Sequence, residues 1–126
     1  MIFYKTQNEL SKFQQDFISF YREKNKTHKI FVEYNLLDYI NKKEEEIGIE
    51  LDLLIKKRCS KLRFDVFDST LNIVFEICGD QHYKFNKFFH KDIGSFDRQK
   101  SNDFIKKYVC DFFDTKYKEV RTNDFK

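Results

Sequence analysis

Leu62-Arg63-Phe64-Asp65-Val66-Phe67-Asp68-Ser69-Thr70-Leu71-Asn72-Ile73-Val74-Phe75-Glu76-Ile77-Cys78-Gly79-Asp80-Gln81-His82 decides how the chain is read. Phe64 and Val66 alternate with Arg63, Asp65 and Phe67, and further on Ile73, Phe75 and Ile77 alternate with Val74, Glu76 and Cys78. A period of two marks strands, and Asp68-Ser69-Thr70 supplies turn chemistry between them. The stretch predicts a β-hairpin with one wholly apolar face and one face carrying Asp65 and Glu76. A turn centred between Thr70 and Leu71 sets Phe67 opposite Val74 and Asp65 opposite Glu76, with Cβ atoms about 5 Å apart. Facing carboxylates repel, so the pair calls for a neighbouring cation or a bound metal. Mg²⁺, with oxygen ligands at about 2.1 Å, fits between them. Arg63 on the same face is the other way to neutralise the pair.

An aspartate in a strand, a short turn and a strand ending Glu76-Ile77-Cys78-Gly79-Asp80-Gln81-His82 resembles the PD-(D/E)XK nuclease superfamily. The likeness is to the branch around the very-short-patch-repair endonucleases and their small phage and large-virus relatives. It extends to Asn102-Asp103-x-x-Lys106, similar to the Arg-Asp-x-x-Lys of family members, and covers residues 62 to 113. The resemblance implies that Asp65 and Glu76 hold Mg²⁺ or Mn²⁺, with Gln81 and His82 as further catalytic groups. It also implies a third acidic ligand from an N-terminal helix, Glu9 or Asp16, although Glu9 has a capping role of its own. Two positions depart from the pattern. Cys78 stands where the superfamily has lysine and this branch often has aspartate, and a thiol suits Mg²⁺ poorly. Asn102 stands where relatives have arginine.

The whole chain sets bounds on these expectations. Its 126 residues suit one domain with one core. Lys plus Arg number 24 against 21 for Asp plus Glu, a net +3 that is compatible with nucleic acid without demanding it. Sixteen Phe and seven Tyr accompany abundant Lys, Asn and Ile and no Ala, which resembles an AT-rich coding bias more than a base-stacking surface. Cys59, Cys78 and Cys110 form no Cys-x-x-Cys pair and follow no secretory segment, so reduced thiols and an intracellular setting, in the cytoplasm or a host cell, are expected. Cys78, His82 and His90 match no structural zinc spacing. No apolar run is long enough to span a membrane.

Along the chain, Thr6 and Glu9 form a capping box before Leu10, Phe13, Phe17, Phe20 and Tyr21, which predict an amphipathic helix to about Glu23. Ile30 to Tyr34 reads as a strand, and Asn35 caps a helix from Leu36 to Glu46 whose Lys-Lys-Glu-Glu-Glu run is a solvated face. Gly48 stops that helix. Ile49, Leu51, Leu53 and Ile55 then alternate with Glu50, Asp52 and Leu54, predicting the first strand of the central sheet and a rival metal-binding aspartate, Asp52. Lys56, Lys57, Arg58 and Lys61 form a basic turn before the hairpin, the best phosphate-contacting cluster. Lys84, Lys87, His90 and Lys91 of the loop after His82 are further candidates for gripping a nucleic-acid backbone, as is Lys106. Phe96 to Phe113 reads as a helix and Tyr117 to Thr122 as a last strand, joined in a parallel crossover.

The expected fold is α/β, a restriction-endonuclease-like mixed sheet flanked by helices in the order α-β-α-β-β-β-α-β, forming a single domain over residues 1–126. The expected function is metal-dependent hydrolysis of phosphodiester bonds in DNA or RNA. Two other classes stay open: an impaired nuclease fold kept for binding nucleic acid or a protein, and a viral structural or host-directed protein that assembles through a sheet edge. A homo-oligomer or a protein partner is compatible with each.

Overall fold

A computed structural model of the chain describes residues 2–3, 12–78 and 93–121. The elements run β1 (Ile2–Phe3), α1 (Lys12–Lys24), β2 (Ile30–Asn35), α2 (Leu36–Ile47), α3 (Leu53–Cys59), β3 (Arg63–Asp68), β4 (Ile73–Cys78), α4 (Ile93–Phe112) and β5 (Lys116–Arg121). The strands form one mixed sheet in the order β1-β2-β3-β4-β5. The two outer pairs are parallel and the two inner pairs antiparallel. Four six-residue strands carry the sheet, and β1 adds two residues at one edge.

Helix α1 uses the expected aromatic face, burying Phe17 and Ile18, while Phe20 turns 39% of its surface outward. The Thr6–Glu9 box lies outside the described residues. Asn35 caps α2 by accepting the Asp38 N–H at 3.0 Å, and Gly48 ends it in the left-handed region at φ 80° with its N–H on Glu44 O. Within the charged run of α2, Glu44 is drawn inward. Its two oxygens hold Lys56 Nζ and the Leu51 N–H, each at 2.7 Å, and so tie α2 to α3.

The strand expected over Ile49 to Ile55 is not formed, so the element order differs from expectation. Asp52 caps helix α3 instead, its Oδ1 accepting from Leu54 N at 2.9 Å and Ile55 N at 3.4 Å. This capping role also removes Asp52 as a rival metal ligand. Leu51 and Cys59 are buried with Ile55 packed against the same cluster, a spacing of four that satisfies a helix and not a strand.

The hairpin has the expected register, with Phe67 opposite Val74, Val66 opposite Phe75 and Asp68 opposite Ile73. Asp68 Oδ1 accepts from Thr70 N and Leu71 N and so builds the turn. Its Oδ2 takes Tyr21 Oη at 2.5 Å and His28 Nδ1 at 2.6 Å, fastening the hairpin tip to α1 and the connector after it. Both faces of the hairpin carry packed apolar residues, where the alternation predicts only one apolar face. Phe17, Ile18, Ile30, Val32, Val66, Phe75, Ile77 and Val120 form one buried cluster under α1. Phe31, Tyr34, Phe64, Phe67 and Val74 join residues of α2, α3 and α4 in the other.

Strict alternation would put Phe31 and Tyr34 on opposite faces, and likewise Phe64 and Phe67. All four lie in one cluster, and Tyr34 stacks on Phe67 at 5.7 Å with an interplanar angle of 2°. Both strands therefore change face between these residues, at the positions of Glu33 and Asp65. Glu33 accomplishes the change in β2 with a left-handed φ of 55°.

Candidate metal and phosphate site

The change of face opens the sheet where Asp65 stands. Ladder pairing of β3 with β4 runs from Asp68–Ile73 to Val66–Phe75 and is replaced one step further on by side-chain bonds. Asp65 N–H donates to Glu76 Oε2 at 2.7 Å, and Ile77 N–H donates to Asp65 Oδ2 at 2.8 Å. Each carboxylate thus takes a backbone donor that a continuous ladder would have used, and both are pinned at the parting of the strands.

Three further side chains converge there. Lys106 of α4 places Nζ 2.5 Å from Glu76 Oε1, with Glu76 2% and Lys106 13% exposed. Gln14 of α1 reaches in from the other face, its Nε2 lying 3.3 Å from Asp65 Oδ1 and 3.5 Å from Glu33 Oε1. Glu33 is itself buried in β2.

Burial and then the Glu76 charge push the Asp65 carboxyl far above the usual carboxylate range, against the opposing pull of Lys106 and the Ile77 N–H. Burial raises Glu76 as well, although Lys106 and the Asp65 N–H work the other way. Burial alone would lower Lys106, but the Glu76 and Asp65 charges and its hydrogen bond to Glu76 outweigh it and hold the ammonium above its ordinary value. Among the described residues the site brings Glu33, Asp65 and Glu76 together with the Lys106 ammonium.

No known family, curated protein or solved structure matches this chain.

The other candidates fall into four groups. Gln81, His82, Lys84, Lys87, His90, Lys91 and Glu9 lie outside the described residues, as does the side chain of Cys78. Asp16 is not drawn to the site: it pairs with Lys12 at 2.7 Å on the exposed side of α1, and Gln14 is the residue of that helix that reaches Asp65. Lys56 is held by Glu44, whereas Lys57, Arg58 and Lys61 stand exposed at and just beyond the last turn of α3. Arg63 is an exposed residue at the start of β3, and the cation on the acid pair is Lys106.

Gln14 and Glu33 were missed by sequence reasoning. A glutamine on an amphipathic helix reads as solvated, and a glutamate gives no sign that its backbone is left-handed. Among the described residues no group of three or more His, Cys, Asp or Glu is arranged to enclose a metal. Cys59 and Cys110 are buried and unpaired, and burial pushes both thiols up, Cys59 to about 11. Among the described residues no helix is long and apolar enough to cross a membrane.

Proposed function

We propose that the protein is a metal-dependent nuclease that hydrolyses phosphodiester bonds in DNA or RNA at a centre formed by Asp65, Glu76 and Lys106, with Mg²⁺ or Mn²⁺. The observation that carries this reading is the carboxylate pair at the parted strands, Glu76 buried and Asp65 half-buried, with the Lys106 ammonium 2.5 Å from Glu76. Hard oxygen donors suit a hard divalent ion. Mg²⁺ commonly takes one or two carboxylates and fills its shell with water and substrate phosphate, so two acids suffice.

Asp65 and Glu76 would hold the ion, which when bound acidifies a coordinated water and offsets charge on the phosphoryl oxygens. Gln14 steadies Asp65 Oδ1, and the Asp65 and Ile77 N–H groups fix the remaining oxygens so that neither carboxylate swings away. Lys106 balances Glu76 and offers an ammonium to a phosphoryl or leaving oxygen. The resemblance to the PD-(D/E)XK nucleases has lysine where this chain has Cys78. In this reading the missing ammonium comes from α4, within the Asn102-Asp103-x-x-Lys106 motif.

A cleavage panel of single-stranded, duplex and branched DNA and of RNA, in Mg²⁺ and in Mn²⁺, tests the reading. Native protein is expected to cut at least one substrate. Asp65→Ala and Glu76→Ala are expected to abolish cutting, and Lys106→Met to slow it by about a hundredfold or more while the circular dichroism stays native. Calorimetric titration with Mn²⁺ supplies the second arm. Equal affinity in native protein and in the Asp65→Ala, Glu76→Ala double variant would overturn the proposal.

A further inference from the structure

The side of α4 turned away from Lys106 carries features that the Asp65–Glu76 centre does not use. Phe104 and Tyr108, one turn apart, are 70% and 44% exposed. With Ser101 and Ile105 of α4 and Ile55 and Arg58 of α3 they line an open groove of about 300 Å³. A groove of that size walled by exposed aromatics has the character of a ligand site.

One wall of the groove is cationic, because Arg58 lines it. Lys57, Arg58 and Lys61 are exposed and have no ion-pair partner among the described residues, in contrast to Lys56. Cations in the last turn of α3 also complement the helix dipole. That role accounts for their placement along the helix but not for the aromatic wall opposite Arg58.

Charge decides the occupant. A second copy of the chain docked by the same groove would bring Arg58 against its own image. A single strand of nucleic acid answers both features at once, because its unpaired bases present flat faces to aromatic rings and its phosphates present anions.

We propose that the groove between α3 and α4 seats an unpaired base of a single-stranded nucleic-acid segment. The base stacks on Phe104 and Tyr108, and the neighbouring phosphates lie on Arg58, Lys57 and Lys61. The proposal deepens the nuclease reading by naming the substrate class, a strand with unpaired bases, and rests on it only in taking nucleic acid as the ligand.

The test is anisotropy of a labelled oligothymidylate of about 20 nucleotides, and of its duplex with oligoadenylate, in EDTA so that no cutting intervenes. Native protein is expected to prefer the single strand. Phe104→Ala should weaken that binding by between about fivefold and a hundredfold, and Phe104→Trp should restore it. Because Phe104 is largely exposed, neither change threatens the fold, and a thermal melt confirms that. Arg58→Ala with Lys61→Ala should flatten the salt dependence by about 0.7 in log–log slope for each phosphate that is no longer neutralised.

Single-strand affinity that Phe104→Ala leaves untouched overturns the proposal, as does equal affinity for the duplex or no binding of either oligomer. Sedimentation adds one more overturning result: a native dimer that Phe104→Ala dissolves would make the groove a self-interface. The oligomer is measured in EDTA, without metal, and Mn²⁺ is titrated without oligomer. Failure of the metal centre, read by the Mn²⁺ titration, is thereby kept apart from failure of the groove.

Discussion

Asp65 is pushed up to about 8 by burial and by the charge of Glu76, from 3.8 for a free aspartate. The unfolded chain therefore releases this proton near the lower value and the folded chain near the upper one. Between them the folded state holds the additional proton, so this group makes stability fall as pH rises through that window and level off above it. Lys106, charged in both states throughout, adds no slope there. Asp65→Asn keeps an acceptor for the Ile77 N–H and removes the titration. Urea unfolding of both proteins from about pH 5 to about pH 9 should show native stability declining relative to the variant; parallel curves would show that Asp65 titrates as a free acid. Asp65 and Glu76 were legible because a period-two pattern and a turn fix which residues oppose each other. Lys106 was legible through its likeness to the lysine of the Arg-Asp-x-x-Lys motif, but no pattern shows that it turns inward to Glu76.

Helix α3 shows how an element is misread. Ile49, Leu51, Leu53 and Ile55 alternate, yet Ile49 is 55% and Leu53 64% exposed, and the positions that pack inward are Leu51, Ile55 and Cys59. Over seven residues both periods fit, and the deciding signal is Asp52, whose carboxylate caps the helix. Asp52→Ala is expected to cost about 1 kcal/mol in denaturant unfolding, with oligonucleotide binding reduced if α3 frays and carries Arg58 out of the groove. No loss of stability would place the specification of α3 in Leu51 and Cys59 alone. Among the elements found about where they are expected, α2 and the hairpin combine a periodic run with an end signal, Asn35 and Gly48 for α2 and Asp68 for the turn.

Across the whole molecule, the acid cluster is assembled from α1, β2, β3, β4 and α4, through Gln14, Glu33, Asp65, Glu76 and Lys106. The sequence announces the strand–helix–strand unit that supplies Glu76 and Lys106. A mixed sheet flanked by helices is expected and found, but the period of two does not show that both faces of the hairpin are apolar, with Phe67 and Val74 in one cluster and Val66 and Phe75 in the other. A site drawn from five elements exists only in the folded chain, and burial there disfavours the charged forms of Asp65 and Glu76. Metal binding should accordingly read out as global stability. At about 100 times its dissociation constant Mn²⁺ should add about 2.7 kcal/mol, a rise in melting temperature on the order of 10 °C for a domain of this size. Metal-free Asp65→Asn should melt above the native protein at a pH higher than about 8, where the lost charge matters most, and should respond little to Mn²⁺. Equal Mn²⁺ shifts in the two proteins, followed by scanning calorimetry, would locate the ion away from the parted strands and leave the Lys106–Glu76 pair a structural contact between α4 and the sheet.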